Sequence, residues 1–363
     1  MRKSNNTANN ILTTTRNSKS IVIASFSFIV ILLFLSIGCL FYFKNLTDIN
    51  TEELTGEKHE KLNNYYVMIT DDRKSYFWKS VYEGAKAALN ENSYIEMLGY
   101  NLSVEYSSID LMKIAIDSKV DGIILEADES AEMTALINEA NDAGIPVVTA
   151  LSDNSNSTRK SFVGVNSYNL GLAYGEQVYE IEKIPMSTDD SIETTILVLM
   201  NTNADNTSQN IIFSGIQDAI KNSTNQRKFK VETVSISNNG AFAVEESIRD
   251  IFINWKSIPN IIICTNDLNT TCVYQEVVDL NKVGKINIIG YDDSDTILKA
   301  IERNVIYSTI SVDTEQMGMY CVRALEEYKK TGHVSAYFSV NISSITADNV
   351  NEYLGVTNES IDE

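Results

Sequence analysis

Short apolar runs recur from Tyr65 onward, each separated from the next by a stretch of helical periodicity. YYVMIT (65–70) predicts a first strand, and in the helix after it Phe77, Val81, Ala85, Ala88 and Leu89 share one face. LSVEY (102–106) alternates and predicts a strand. A helix over 109–118 leads through a turn into the buried strand Val120-Asp121-Gly122-Ile123-Ile124-Leu125. SAEMTALINEANDAG (130–144) predicts a helix stopped at Gly144, a residue that accepts left-handed backbone. Pro146-Val147-Val148-Thr149 opens the next strand, and SFVGV (161–165) is another. The same grammar then restarts. Helices are expected at 168–182, 207–221, 241–254, 268–281, 294–303 and 314–330. Strands are expected at 194–200, 230–236, 261–265, 286–291 and 307–312, with a last one near 336–344.

Continuously apolar strands separated by amphipathic helices predict parallel sheets covered on both faces. About 280 residues of this pattern exceed one comfortable sheet, so the fold class is α/β with two doubly wound lobes. Such folds place ligands at the carboxyl ends of their strands.

Ahead of this region, Ile21–Phe43 is 23 residues without a charge. As a helix it spans roughly 34 Å, enough to cross a bilayer. Four bases precede it, whereas Lys44 alone follows before Asp48, Glu52 and Glu53. The positive-inside rule then assigns 1–20 to a cytoplasmic basic tail, 21–43 to a transmembrane anchor and the rest to the outside. The run is longer than a signal-peptide core, and no A-x-A-like site follows it. Leu35-Ser36-Ile37-Gly38-Cys39 resembles a bacterial lipobox, with Ser36 where an aliphatic residue is usual. A lipoprotein is therefore the rival reading, and it too tethers the domain outside. Residues 44–64 are polar and acidic, as a spacer is.

Charge sharpens the picture. The first 44 residues take five of the 29 bases and no acid, so the remainder holds 24 bases against 49 acids, close to −25. Such a surface repels phosphates and excludes nucleic acid as a partner. Beyond Cys39 the cysteines are Cys264, Cys272 and Cys321, an odd number without CxxC spacing. They read as small buried thiols rather than a disulfide framework or zinc site, with a Cys264–Cys272 bridge the alternative.

Chemistry is sought at the strand ends. After the first strand comes a polar loop with Ser75, Phe77 and Trp78; aromatic faces beside polar groups suit a sugar ring. Phe77 and Trp78 read equally well as core and helix-start residues. Asn266, after IIICT, offers a donor and an acceptor to a pair of hydroxyls, while Asp267 is expected to cap the next helix. After INIIG come Tyr291 and Asp292, whose carboxylate can take two adjacent hydroxyls; Asp293 or Ser294 is expected to cap the helix beyond. This acidic run lacks the glycine and distal glutamate of a calcium loop, so no metal is expected. Catalytic constellations are scarce. The histidines are His59 and His333, and GxSxG, HExxH, GxxxxGK[ST] and GxGxxG are absent. The sequence predicts no enzyme and no cofactor.

From Tyr65 to about Val350 the chain resembles the ribose-binding-protein family of type 1 periplasmic binding proteins. The resemblance is carried by Phe77-Trp78 with Gly84-Ala85, Val120-Asp121-Gly122-Ile123-Ile124, Gly144-Ile145-Pro146-Val147-Val148-Thr149, Phe162-Val163-Gly164-Val165-Asn166, Asn266-Asp267, Gly290-Tyr291-Asp292 and Gln316-Met317-Gly318, in that order. It implies three hinge crossings, near 166, 312 and 338, between lobe 1 (65–165 with 313–338) and lobe 2 (166–312 with 339–350), leaving 351–363 as an acidic tail. It also implies a cleft that closes on one small ligand by hinge motion. Ser75, Phe77, Trp78, Phe242, Asn266, Tyr291 and Asp292 match ligand-contacting positions of the family.

The match departs in three places. The Asp-Arg pair expected after the strand at 146–149 is Leu151-Ser152, a cleft arginine is replaced by Ile212, and a polar hinge residue by Val312. Each lost grip is worth about 1–3 kcal/mol, which argues against a ribose-like ligand held in the family manner. The resemblance implies capture of a sugar for an ABC permease, or sensing it for a membrane histidine kinase; a scaffold without ligand is the third reading. Related repressors carry a helix-turn-helix head where this chain has its apolar segment.

Overall fold

The computed structural model describes residues 33–38, 64–102, 104, 106–183, 193–201, 206–222, 228–237, 240–254 and 259–359. Leu62–Glu363 forms a unit of its own. Its first half runs β1 (Asn64–Ile69), α1 (Tyr76–Ala87), β2 (Ser93–Met97), α2 (Ser108–Asp117), β3 (Gly122–Leu125), α3 (Ala131–Asp142), β4 (Val147–Ala150) and β5 (Ser161–Gly164). The second half runs α4 (Ser167–Lys183), β6 (Thr194–Asn201), α5 (Asn206–Asn222), β7 (Phe229–Ile236), α6 (Ala241–Asn254), β8 (Ile261–Cys264), α7 (Asp267–Asp279), β9 (Asn287–Tyr291), α8 (Asp295–Glu302) and β10 (Ser308–Val312). The chain closes with α9 (Thr314–Thr331), β11 (Tyr337–Ser339), β12 (Ile342–Thr346) and α10 (Val350–Glu359).

Two six-stranded sheets result, ordered β11-β5-β4-β3-β1-β2 and β12-β10-β9-β8-β6-β7. The winding of β1 to β5 is repeated by β6 to β10. All neighbours are parallel except β12, which runs antiparallel to β10. Alternation along β1 shows why these runs are apolar throughout. Tyr66 and Met68 enter the core under α1 and α9, while Val67 and Ile69 enter the core under α2 and α3. The second sheet is likewise covered on both faces.

Glycines set how closely the helices approach. A Cβ at Gly318 on α9 would stand 1.9 Å from the Val81 carbonyl oxygen, and one at Gly84 on α1 would stand 2.3 Å from that of Glu315. The two helices therefore touch backbone to backbone.

The chain passes between sheets three times, after β5, after β10 and between β11 and β12. These crossings are bonded together: Val340 N–H donates to the Gly164 carbonyl (2.9 Å), Asp313 N–H to that of Asn341 (3.0 Å), and Asn341 N–H to Gln316 Oε1 (2.8 Å). Val165, Tyr291 and Ile342 pack against the cores of both lobes.

Several expectations are corrected. The strand after α1 is Ser93–Met97, not 102–106. Leu98 N–H makes a last bond to Met68, and Gly99 then turns the chain with φ +82°, so the alternating residues beyond have no partner strand among the described residues. The single strand near 336–344 is two short ones, β11 in the first sheet and β12 in the second. Residues 351–359 of the expected acidic tail belong to α10, which sets Val350, Tyr353 and Leu354 on the core of the second lobe. Ile212 lies in a core of that lobe, 9% exposed, with its carbonyl against Gly171, so this position does not present a side chain to a cleft. The cysteines are as expected: Cys264, Cys272 and Cys321 are buried free thiols, without the alternative Cys264–Cys272 bridge.

Of the expected span 21–43, residues 33–38 are described, and they are helical. The rest of that span, Cys39 and the spacer up to residue 63 lie outside the described residues. Among the described residues no helix is long and apolar enough to cross a membrane.

Gly318→Ala is expected to lower the unfolding free energy by about 3 kcal/mol, since the α1–α9 contact has no room for a methyl group and overpacking strains both backbones. Chemical denaturation of this variant against the parent checks it.

Candidate functional site

Both sheets reverse their strand order between the first and third strands of the winding, which puts the expected crevice at the ends of β1 and β3 and of β6 and β8. In the first lobe Ser75 caps α1: its hydroxyl accepts from the Trp78 N–H (3.2 Å) and donates to the Asp72 carbonyl (3.0 Å). That cap aims the first turn. Tyr76 is left 43% exposed, Phe77 is half-buried, and Trp78 is only 3% exposed in the lobe core with Val81 and Ala85. The expectation that Trp78 offers a stacking face is not met; its ring meets Phe77 edge-on at 5.4 Å and forms part of the wall behind it.

At the end of β3, the residue after Leu125 is Glu126. Its Oε2 accepts from the Thr70 hydroxyl (2.5 Å). Burial raises its pKa, the Thr70 bond opposes this, and Asp71 adds to the rise.

In the second lobe Asn266, rather than Asp267, is the cap of α7: its Oδ1 accepts from Asn269 N–H at 2.7 Å. The rest of its amide is left to donate. Tyr291 ends β9 against both lobe cores, its N–H bonded to Thr270 Oγ1 (3.0 Å), and burial first, then Asp292, raise its phenol pKa. Asp292 follows with φ +85°. Its N–H still bonds Ile310 on β10 (3.0 Å) while its carboxylate accepts from the Ser294 N–H (3.1 Å). Burial, then Asp293 and Asp267, push the Asp292 carboxyl up to about 7 against the pull of Ser294. Ser294 precedes α8 without a side-chain cap bond, and Asp293 instead accepts from the Ser311 hydroxyl (2.7 Å).

Tyr76 has its phenol pKa raised by burial and then by the carboxylates of Asp293, Asp295, Glu315 and Asp292. The contact that joins the halves is Tyr291, at the end of β9, which packs against the first-lobe core that also takes Phe77. Phe77 and Tyr291, with Asp292 next in sequence, thus share the first-lobe core that Val165 and Ile342 of the crossings also meet. Phe242 is 77% exposed at the start of α6, past the end of the edge strand β7. Tyr76 and Glu126 are not among the residues expected from the sequence, although Glu126 directly follows a strand and Tyr76 sits between Ser75 and Phe77; Asp293 is expected there only as a helix cap. Leu151 and Ser152 do occupy the end of β4. An acid and an arginine follow close by, but they are bound to each other: Asp153 pairs through both oxygens with Arg159 and accepts from Thr149 Oγ1 (2.7 Å).

A model of the periplasmic binding protein domain matches residues 66–332. The chain belongs to the periplasmic binding protein family. Among solved structures, this binding protein is similar to GanP, a glucose-galactose binding protein from Geobacillus stearothermophilus, at 23% identity and TM-score 0.67 over 79% of this chain and 98% of that one. It is similar to the sugar-binding protein of a sugar ABC transporter from Bacillus halodurans at 22% identity and TM-score 0.67, over 80% and 100% of the two chains. It also matches the XylFII–LytSN complex at 25% identity and TM-score 0.62, over 78% and 98%. No curated protein matches the sequence.

Two expectations follow. Because the folded state holds the Asp292 proton more tightly than the unfolded chain, stability should fall as pH rises from 3.8 towards about 7, and Asp292→Asn should flatten that slope in a series of melts. Trp78→Ala should cost about 3–5 kcal/mol of stability, as core aromatics do, whereas Tyr76→Ala should leave stability nearly unchanged and weaken ligand binding about tenfold. Calorimetry of folding and of binding separates the two.

Proposed function

We propose that this chain is a membrane-anchored extracellular binding protein that closes on a sugar and passes it to an ABC permease. The observation that carries the reading is the packing of Tyr291, next to Asp292, against the cores of both lobes, with Phe77 on the same first-lobe core, beside three bonded crossings. Aromatic edges with a buried carboxylate and an amide donor match the face and hydroxyls of a sugar ring. Ser75 and Asn266 orient the two helix starts that flank the gap, and hinge motion at the crossings closes it. Solved proteins of this fold named as glucose-galactose and sugar ABC transporter binding proteins support the ligand class. The anchor reading is supported by the charge-free run 21–43 behind four bases.

A second reading, that the closed domain reports its ligand to a membrane histidine kinase, is favoured by one observation. A structure 25% identical to this chain was solved in complex with a second protein.

The full chain in detergent, screened against pentoses and hexoses, is expected to melt at higher temperature with at least one of them. Asp292→Ala should abolish that shift. A panel without any shift would remove the binding reading. Co-purification with permease subunits or with a kinase would choose between the two partners.

A further inference from the structure

We infer that Thr270 and Thr309 are positioning residues of the binding site, two buried hydroxyls that set the Tyr291–Asp292 turn and tie it to Asn266. The inference rests on the reading above, in which Asn266 and Asp292 meet the sugar. Both threonines are 0% exposed. They meet at Gly290, where a Cβ would stand 2.5 Å from Thr270 Cγ2 and 3.3 Å from Thr309 Oγ1. Glycine at that point lets the two side chains close on the strand just before the turn.

The ladder shows why the turn needs them. Pairing of β9 with β8 stops at Ile289, opposite Ile263, two residues before Tyr291. The Tyr291 N–H lies past that last rung and donates to Thr270 Oγ1 instead (3.0 Å). The same hydroxyl donates to the Asn266 carbonyl (2.7 Å), so one oxygen joins the cap of α7 to the end of β9. Asp292 then takes left-handed backbone, which a residue with a Cβ keeps only where its surroundings impose it. Here Ile310 holds its N–H (3.0 Å) and the Thr309 hydroxyl holds its carbonyl (2.8 Å).

The first lobe supplies the internal control. Leu151 ends the matching turn after β4, and there the ladder with β3 runs one rung further, to Thr149 opposite Leu125. Phe162 stands in the place of Thr309. Thr134 is four residues past the cap of α3, as Thr270 is past the cap of α7. Its hydroxyl serves the Ser130 carbonyl (2.9 Å) and the Asn154 amide, not the turn. Among the described residues no side chain bonds the backbone of Ala150 or Leu151. The fold therefore makes this turn without threonines, and they are added only where the turn carries a carboxylate. A carboxylate held in place beforehand loses less freedom when a ligand arrives, and a site set by packed neighbours keeps its geometry.

The test sets an isosteric change against a conservative one. Thr270→Val keeps the shape and removes the hydroxyl, whereas Thr270→Ser keeps the hydroxyl and removes the methyl. The full chain in detergent is titrated calorimetrically with D-glucose, D-galactose, L-arabinose and D-xylose, and amide exchange is followed at Tyr291. Thr270→Val and Thr309→Val are each expected to weaken binding of whichever sugar the parent takes by about tenfold, and Thr270→Ser by no more than about twofold. Exchange at Tyr291 should quicken in Thr270→Val and stay slow in Thr270→Ser. Thr134→Val, the matching loss in the first lobe, should lower the melting temperature and leave affinity unchanged. Parent-like binding by Thr270→Val, equal weakening by the valine and serine variants, or equal weakening by Thr134→Val would overturn the inference. A parent that takes none of these sugars would remove the binding reading. Fast Tyr291 exchange confined to Thr270→Val would even then leave the hydroxyl as the support of the turn, and unchanged exchange would remove that as well.

Discussion

A parallel sheet buried on both faces can offer chemistry only at the ends of its strands, so two such sheets make one site only if their ends are held face to face. Here that constraint is met by the crossings. Val340 to Gly164, Asp313 to Asn341 and Asn341 to Gln316 bond the passages between lobes into one small ladder. Val165, Tyr291 and Ile342 then pack against cores on both sides of it. The groups nearest to it, Tyr291 and Asp292, report on both halves at once. That is why the Asp292 carboxyl is so strongly perturbed: it lies where burial from both sides accumulates and where Asp293 is a fixed neighbour.

Much of this was legible in the sequence because it depends on periodicity. The repeated alternation of apolar runs and amphipathic helices predicts two doubly wound sheets, and the paired windings of β1–β5 and β6–β10 are what that repetition means in space. Gly84 and Gly318 were visible as landmarks, and their reason is the backbone contact between α1 and α9. The failures have a common cause, which is that local pattern does not say which of two compatible partners wins. Ser93–Met97 and Leu102–Tyr106 both alternate, but Gly99 ends the register with β1 before the second segment is reached. Phe77 and Trp78 both fit the spacing to Val81, and the Ser75 cap turns Trp78 inward. Asn266 and Asp267 can each cap a helix; the asparagine's extended backbone gives it the role. Ile212 was taken for a cleft position, when the close approach of α4 and α5 at Gly171 turns it to the core.

Acidity at the strand ends gives the candidate site its character. Glu126 in one lobe and Asp292 and Asp293 in the other all have pKa values raised, in each case chiefly by burial. The nearby Arg73 is bound to the carbonyls of Thr70 and Tyr106, and Arg159 to Asp153, so neither guanidinium is offered as a counter-charge. A molecule rich in hydroxyls can donate to such carboxyls without adding charge, which is consistent with the sugar proposed above, whereas an anion would add like charge beside them.

The internal repeat carries the argument one step further. Leu151 and Asp292 stand at equivalent points, each just past the fourth strand of its winding, and each has left-handed backbone, with φ of 64° and 85°. Each donates its N–H to the fifth strand at 3.0 Å, Leu151 to Val163 and Asp292 to Ile310. The fold therefore builds the same turn twice and leaves the side chain to decide its chemistry. An aspartate tolerates this conformation better than a leucine. Leu151 offsets the cost by packing on the first-lobe core, at the price of a carboxylate there. One turn thus carries an acceptor and the other an apolar side chain, so in the proposed binding mode the two would select by the sidedness of the ligand rather than by two matching grips. A ring with hydroxyls on one edge and a bare face on the other meets both demands; a ligand that is polar all round leaves groups opposite Leu151 unpaired.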